Sequence, residues 1–184
     1  FYMSKDEVTK EQYTAVIGRN PGYFKGHNLP VEYVSWKEAV EFCGKLGSGF
    51  RLPTEAEWEY ACRAGSETCF YYGDDPNYSQ LDQYAWYDKN SGKRTQAVGQ
   101  KKPNSFGLYD MHGNVWEWCA DWYADSLINT ASVDPTGPTS GDTRVLRGGS
   151  WLCDAGLCRT ANRLRRTPGY FRYGVGFRVV MDLN

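Results

Sequence analysis

A chain of 184 residues with a net charge of -1 can bury one substantial core, and it has no general electrostatic pull toward nucleic acid or an acidic membrane. No apolar run approaches the ~20 residues that a membrane-spanning helix needs. Seven Trp, fourteen Tyr and twenty Gly point to a loop-rich fold in which large rings fill space between irregular segments.

The first half carries three helix starts. Thr9 stands three residues before Gln12, Ser35 before Glu38, and Thr54 before Glu57. Each pair has the capping-box form, in which a hydroxyl and a carboxylate or amide satisfy the orphan amides of the first turn. Helices are expected over 10–17, 36–46 and 55–64, with Gly18, Gly47 and Gly65 placed as left-handed C-terminal caps. Trp36, Val40 and Cys43 follow helical spacing, as do Trp58 and Cys62, so each helix has an apolar face.

Beyond residue 65 the periodicity fades, and residues 66–108 read as long structured loops. Short strands are expected at 114–119, 144–147 and 176–180. Residues 125–143, small and polar with two prolines, read as a surface excursion. No repeat or linker interrupts the chain, which reads as one domain over 1–184. The six cysteines at 43, 62, 69, 119, 153 and 158 show no zinc spacing, and only His27 and His112 offer imidazole. Cys43 and Cys62 are expected as packing residues.

Four strings carry a family resemblance: Arg51 to Glu59 (RLPTEAEWE), Asn104 to Trp118 (NSFGLYDMHGNVWEW), Arg147 to Trp151 (RGGSW) and Gly176 to Arg178 (GFR). In order and spacing they resemble the sulfatase-modifying-factor, or formylglycine-generating-enzyme-like, family. The resemblance implies an α+β, loop-rich C-type lectin fold with few short helices and strands, and a functional surface in the C-terminal part. None of the four strings contains a nucleophile–base pair, so most of these residues read as scaffold.

The family includes an oxidase that converts a sulfatase cysteine to formylglycine, using two cysteines spaced C-x4-C after a Gly-Gly-Ser string. Ser150, Cys153 and Cys158 match that pattern when counted from Gly148, and two thiolates there would suit copper(I). Counted from Ala161 backward, Cys158 instead heads the Cys-Arg-x-Ala-x-Arg string of non-catalytic relatives, and the aromatic-arginine stretch of the enzyme is missing. The expectation is therefore a protein that is not an enzyme, with the oxidase as the alternative. Cys158 is expected to pack inward and Cys153 to point toward the surface.

Residues 152–174 lack Lys, Glu, Gln, Met, Trp and Ile, and many of their residues are reachable from an asparagine codon by changing only its adenines. This segment resembles the variable region of diversity-generating-retroelement proteins, treponemal variable lipoproteins most of all. The resemblance implies a ligand-binding site at Leu152, Cys153, Asp154, Gly156, Leu157, Asn162, Leu164, Gly169, Tyr170, Phe171, Tyr173 and Gly174, varied on a fixed frame. Arg165, Arg166 and Arg172 would add polar or stacking contacts. The expected partner is an unknown protein or cell-surface ligand, with no nucleic acid, and the protein is expected to be a monomer. A secreted or surface location in a bacterium is expected, with any signal or lipid anchor outside this sequence.

Arg147, Arg159, Arg163 and Arg178 are expected to pair with acidic residues that fix irregular loops. No cofactor is required by this reading. The resemblance does imply a possible structural calcium at the Asp110 and Glu117 side chains and the Gly113 and Val115 carbonyls; the alternative is that both carboxylates pair with arginines.

Overall fold

The three helices form where their capping boxes put them. The computed structural model describes residues 1–125 and 133–183, and in it α1 spans Lys10–Ile17, α2 Trp36–Leu46 and α3 Glu55–Arg63. Thr9, Ser35 and Thr54 each accept from the amide three residues on, and Gln12, Glu38 and Glu57 reach back to the cap amide. The endings differ from the simple glycine rule. Gly18 is a left-handed cap at φ 85°, but Gly47 takes a different positive-φ conformation at φ 124°, ψ 177°, one that favours glycine. The third helix closes one residue early, on left-handed Ala64 at φ 46°.

Among the described residues, the strands form two small sheets. In the first, β1 (Tyr2–Met3) and β2 (Phe50–Arg51) flank the final strand, Val180–Met181, both antiparallel to it. The second contains β3 (Trp116–Trp122), β4 (Arg144–Arg147), β5 (Arg163–Arg166) and β6 (Val175–Gly176), in the order β5-β4-β3-β6. The expected 114–119 strand thus begins at Trp116 and runs longer, because Asn114 sits in a left-handed turn at φ 56°. The expected 176–180 strand is two pieces, β6 and β7 (Val180–Met181), belonging to different sheets. Phe177 and Arg178, both fully buried, carry the chain between them. Of the 125–143 excursion, residues 126–132 lie outside the described residues.

Aromatic packing supplies much of the core. Tyr13 stacks on Phe42 at 5.5 Å, and Phe177 meets Phe42 edge-on at 5.3 Å. A second cluster gathers Trp58, Met111, Cys119 and Val145 under α3. Cys43 and Cys62 are packing residues as expected, and burial pushes each thiol up to about 12.

Candidate ligand-binding surface

The segment 152–174 is pinned at both ends and in the middle. At its start, the Trp151 amide donates to the Asn114 carbonyl at 2.9 Å, and Ser91 Oγ donates to the Trp151 carbonyl at 2.9 Å. At its end, the Trp116 amide donates to the Gly174 carbonyl at 2.8 Å. The Trp151 indole N–H joins the two ends by donating to the Tyr173 carbonyl at 2.8 Å. Midway, β5 pairs with β4 over four residues, with Leu164 opposite Leu146. The sequence reading missed this strand, because Arg-Leu-Arg-Arg has only one apolar residue to mark a buried face.

Arginines fix the strand from below, as expected. Arg163 holds Glu55 through Nε at 2.5 Å and Nη2 at 2.8 Å, and fully buried Arg147 pairs with Glu59. Arg178 is bound to Glu117 at 2.7 Å. Arg159 departs from the expectation. It is exposed, and its Nε donates to the Gly156 carbonyl at 2.9 Å rather than to an acid.

Buried anchors and exposed side chains alternate over the first half of the segment. Cys153, Ala155, Cys158 and Thr160 are buried, while Leu152, Asp154, Leu157, Arg159 and Ala161 are exposed. Farther along, Gly169, Phe171 and Tyr173 are exposed and Leu164 and Tyr170 are half-buried, as are Gly156 and Asn162 before them. Two of the expected surface positions are corrected. Cys153 packs inward beside Ser150, and Gly174 is buried, where an added Cβ would lie 3.0 Å from Leu152 Cδ1. Asp154 and Asn162 are engaged locally. Asp154 Oδ1 accepts from the Leu157 amide at 3.2 Å, and Asn162 Nδ2 donates to the Leu157 carbonyl at 2.9 Å. They set the one-turn 3-10 helix at Ala155–Cys158 that presents Leu157.

Rings from outside the segment extend the same surface, and the sequence reading did not find them. Tyr23 lies 6.1 Å from Tyr173, Phe24 meets Trp151 edge-on at 5.5 Å, and Tyr33 lies 5.2 Å from Phe171. The Tyr33 amide donates to the Arg172 carbonyl at 3.1 Å, which ties the two regions together. These contacts span more than a hundred residues of sequence, so no local pattern signals them. Tyr170 packs partly on the core, and Arg166 and Arg172 lie over its ring at 5.2 and 5.5 Å.

The three residues of the oxidase pattern are brought together. Ser150 Oγ lies 3.3 Å from Cys153 Sγ, and Cys158 packs under left-handed Gly149 (φ 83°), where an added Cβ would come within 2.8 Å of its sulfur. Only glycine fits that corner. Cys158 is wholly shielded and Cys153 nearly so. Burial raises both thiols above their ordinary range, Cys158 strongly. This environment favours the thiol over the thiolate that copper(I) requires.

Of the expected calcium ligands, Glu117 takes the alternative role and pairs with an arginine, while Asp110 does not. Glu117 Oε1 accepts from Arg178 Nη2 at 2.8 Å, while Oε2 accepts from Arg178 Nε at 2.7 Å and Trp58 Nε1 at 2.6 Å. A guanidinium already occupies the place of a cation. Asp110 Oδ2 accepts from the Gly99 amide at 2.7 Å, leaving only its buried Oδ1 without a partner. Among the described residues, no group of three or more His, Cys, Asp or Glu is arranged to hold a metal. Gly113 and Val115 serve the fold here through their amides, which donate to the Gly148 carbonyl and to Glu7.

Comparison with known proteins agrees with this architecture. The sulfatase-modifying factor enzyme 1-like domain matches residues 1–183. The formylglycine-generating enzyme of Mus musculus is 39% identical over 168 residues, covering 84% of this chain and 45% of that protein. The enzyme of the same name from Streptomyces coelicolor is 39% identical over 169 residues, covering 84% of this chain and 53% of that one. The chain thus spans about half the length of the curated relatives it matches. Among solved structures, Treponema denticola variable protein 1 superposes with a TM-score of 0.87 at 36% identity, covering 94% of this chain and 81% of that one. With two small sheets, three capped helices and that superposition, the chain has the α+β C-type lectin fold of the formylglycine-generating-enzyme-like branch, and it belongs to the sulfatase-modifying factor enzyme 1-like family.

Proposed function

We propose that this protein binds a protein or cell-surface ligand, without catalysis, through the 152–174 segment, and that the segment is the diversified region of a retroelement variable protein. The observation that carries the reading is the alternation of exposed Leu152, Asp154 and Leu157 with buried Cys153, Ala155 and Cys158. Side chains that face solvent can change while the anchors between them keep the backbone in place. The 36% identity and close superposition with Treponema denticola variable protein 1 support the same reading. A surface or secreted location would bring such a face to its partner. The coding locus tests the proposal. It should hold a near-identical, adenine-richer copy of the C-terminal coding segment beside a reverse transcriptase gene, and a locus with neither would sink the retroelement part.

The second reading is an oxidase. It is favoured by the gathering of Ser150, Cys153 and Cys158 and by relatives named formylglycine-generating enzymes at 38–39% identity. Copper(I) on the two sulfurs would supply oxygen chemistry. The burial of both sulfurs, which limits access to them, weighs against it.

A further inference from the structure

The loop 20–26 is far better fixed than a surface loop needs to be. Glu32, fully buried, accepts from the Tyr23 amide at 3.1 Å and the Phe24 amide at 3.0 Å. Lys10, equally buried, pairs with Glu32 and donates to the Phe24 carbonyl at 2.8 Å. This clamp holds the backbone of two aromatic residues, one of which, Tyr23, is 67% exposed. A ring so exposed on a backbone so constrained is pre-ordered, and it loses little entropy on meeting a partner.

We propose that Tyr23, Phe24 and Arg94 form an unvaried half of the ligand surface, continuous with Trp151, Leu152 and Tyr173, and that this surface takes an acidic, aromatic-bearing segment of a partner protein. The inference rests on the binding function proposed above and adds the partner's chemistry. Continuity is direct, since Tyr23 meets Tyr173 and Phe24 meets Trp151. The charge is predominantly positive. Arg94 lies over the Phe24 ring at 5.8 Å and donates to the Lys25 carbonyl. Exposed Lys25, Arg94 and Arg172 have no carboxylate within ion-pair distance among the described residues. Of the five arginines in residues 152–174, Arg163 and Arg165 are paired with Glu55 and Asp125, which leaves Arg159, Arg166 and Arg172 against the single aspartate, Asp154. Complementarity therefore calls for carboxylates opposite.

Ring geometry argues for protein over single-stranded nucleic acid, which stacks its bases on free ring faces. Here the rings turn edges into one another, Tyr23 on Phe24 at 85° and Phe24 on Trp151 at 80°. The ring faces are thus partly taken up by neighbouring rings, and the Tyr23 ring, with its hydroxyl, suits side-chain contacts.

The test measures binding of the intact protein to three immobilised probes at low salt: a random glutamate–tyrosine copolymer, a lysine–tyrosine copolymer and oligo(dT). The expected result is selective binding to the glutamate–tyrosine copolymer. Either Tyr173→Ala or the double variant Tyr23→Ala/Arg94→Ala should weaken it by roughly tenfold or more. Phe106→Ala, removing an exposed ring that packs on Tyr60 instead, should leave it unchanged. Melting temperatures of the variants establish that each is folded. If the double variant binds like the parent while Tyr173→Ala does not, the unvaried half falls and the segment 152–174 stands alone. If only the double variant weakens binding, the site leaves that segment, and both the shared surface and the reading beneath it fall. Equal binding to oligo(dT), or none to the glutamate–tyrosine copolymer, overturns the partner chemistry.

Discussion

Arg178 grips Glu117 with two hydrogen bonds, 2.7 and 2.8 Å long, where neither side chain meets solvent. They stand sixty-one positions apart in sequence, and together they lock the start of β3 to the crossing that links the two sheets. The Trp58 indole completes the carboxylate's shell. Removing one partner leaves the other charge buried and uncompensated, so Arg178→Met should destabilise the protein by about 3–5 kcal/mol. Urea unfolding checks this. A loss under about 1 kcal/mol would mean that water or another cation reaches Glu117.

The same pair bears on the expected calcium site. A ligand that binds only the folded state raises the melting temperature. Because Arg178 engages both oxygens of Glu117, millimolar calcium should not shift the melt. A rise of several degrees, abolished by Asp110→Asn, would show that the cage forms after all by displacing the arginine.

Asp121 predicts a pH dependence. Burial, assisted by the nearby Glu55 carboxylate and opposed by its hydrogen bond from the Glu55 amide, lifts it from 3.8 to about 6. The folded pKa lies above the unfolded one, so the folded state holds the proton more tightly. The stabilisation is complete below about pH 3.8 and is lost as pH rises through 6. Asp121→Asn keeps an acceptor for the Glu55 amide and carries no charge. Between pH 4.5 and 7 it should gain about 1–2 kcal/mol relative to the parent, against a limit of about 1.4 kcal/mol per pH unit for one proton. Parallel stability curves for the two proteins would contradict this.

Copper separates the two functional readings. Buried thiols with raised pKa values should yield copper(I) completely to a strong chelator. Retention of one copper per chain, lost in Cys158→Ser, would favour the oxidase.

The sequence revealed features whose cause is local. The capping boxes at Thr9, Ser35 and Thr54 act within one turn, so they gave all three helix starts, and Arg144–Arg147 read as a strand on its own composition. Features caused by distant partners were hidden. β5 exists because β4 offers it a ladder, and β6 and β7 separate because two different sheets claim adjacent residues. At the site, the exposed positions Leu152, Asp154, Leu157, Phe171 and Tyr173 were legible, but Cys153 and Gly174 turn inward around Ser150. Tyr23, Phe24 and Tyr33 reach the surface only through tertiary contacts, which no spacing rule encodes.

The central claim is that the fold does not depend on the outward side chains of 152–174. Two alanine panels, melted side by side, test it most directly. One takes the exposed positions Leu152, Leu157, Phe171 and Tyr173, each expected to shift stability by no more than about 0.5 kcal/mol. The other takes the buried rings of Trp116, Trp118, Trp151 and Phe177, each expected to lose roughly 3–5 kcal/mol. Comparable losses in the two panels would make the segment part of the core and would contradict its assignment as a binding surface.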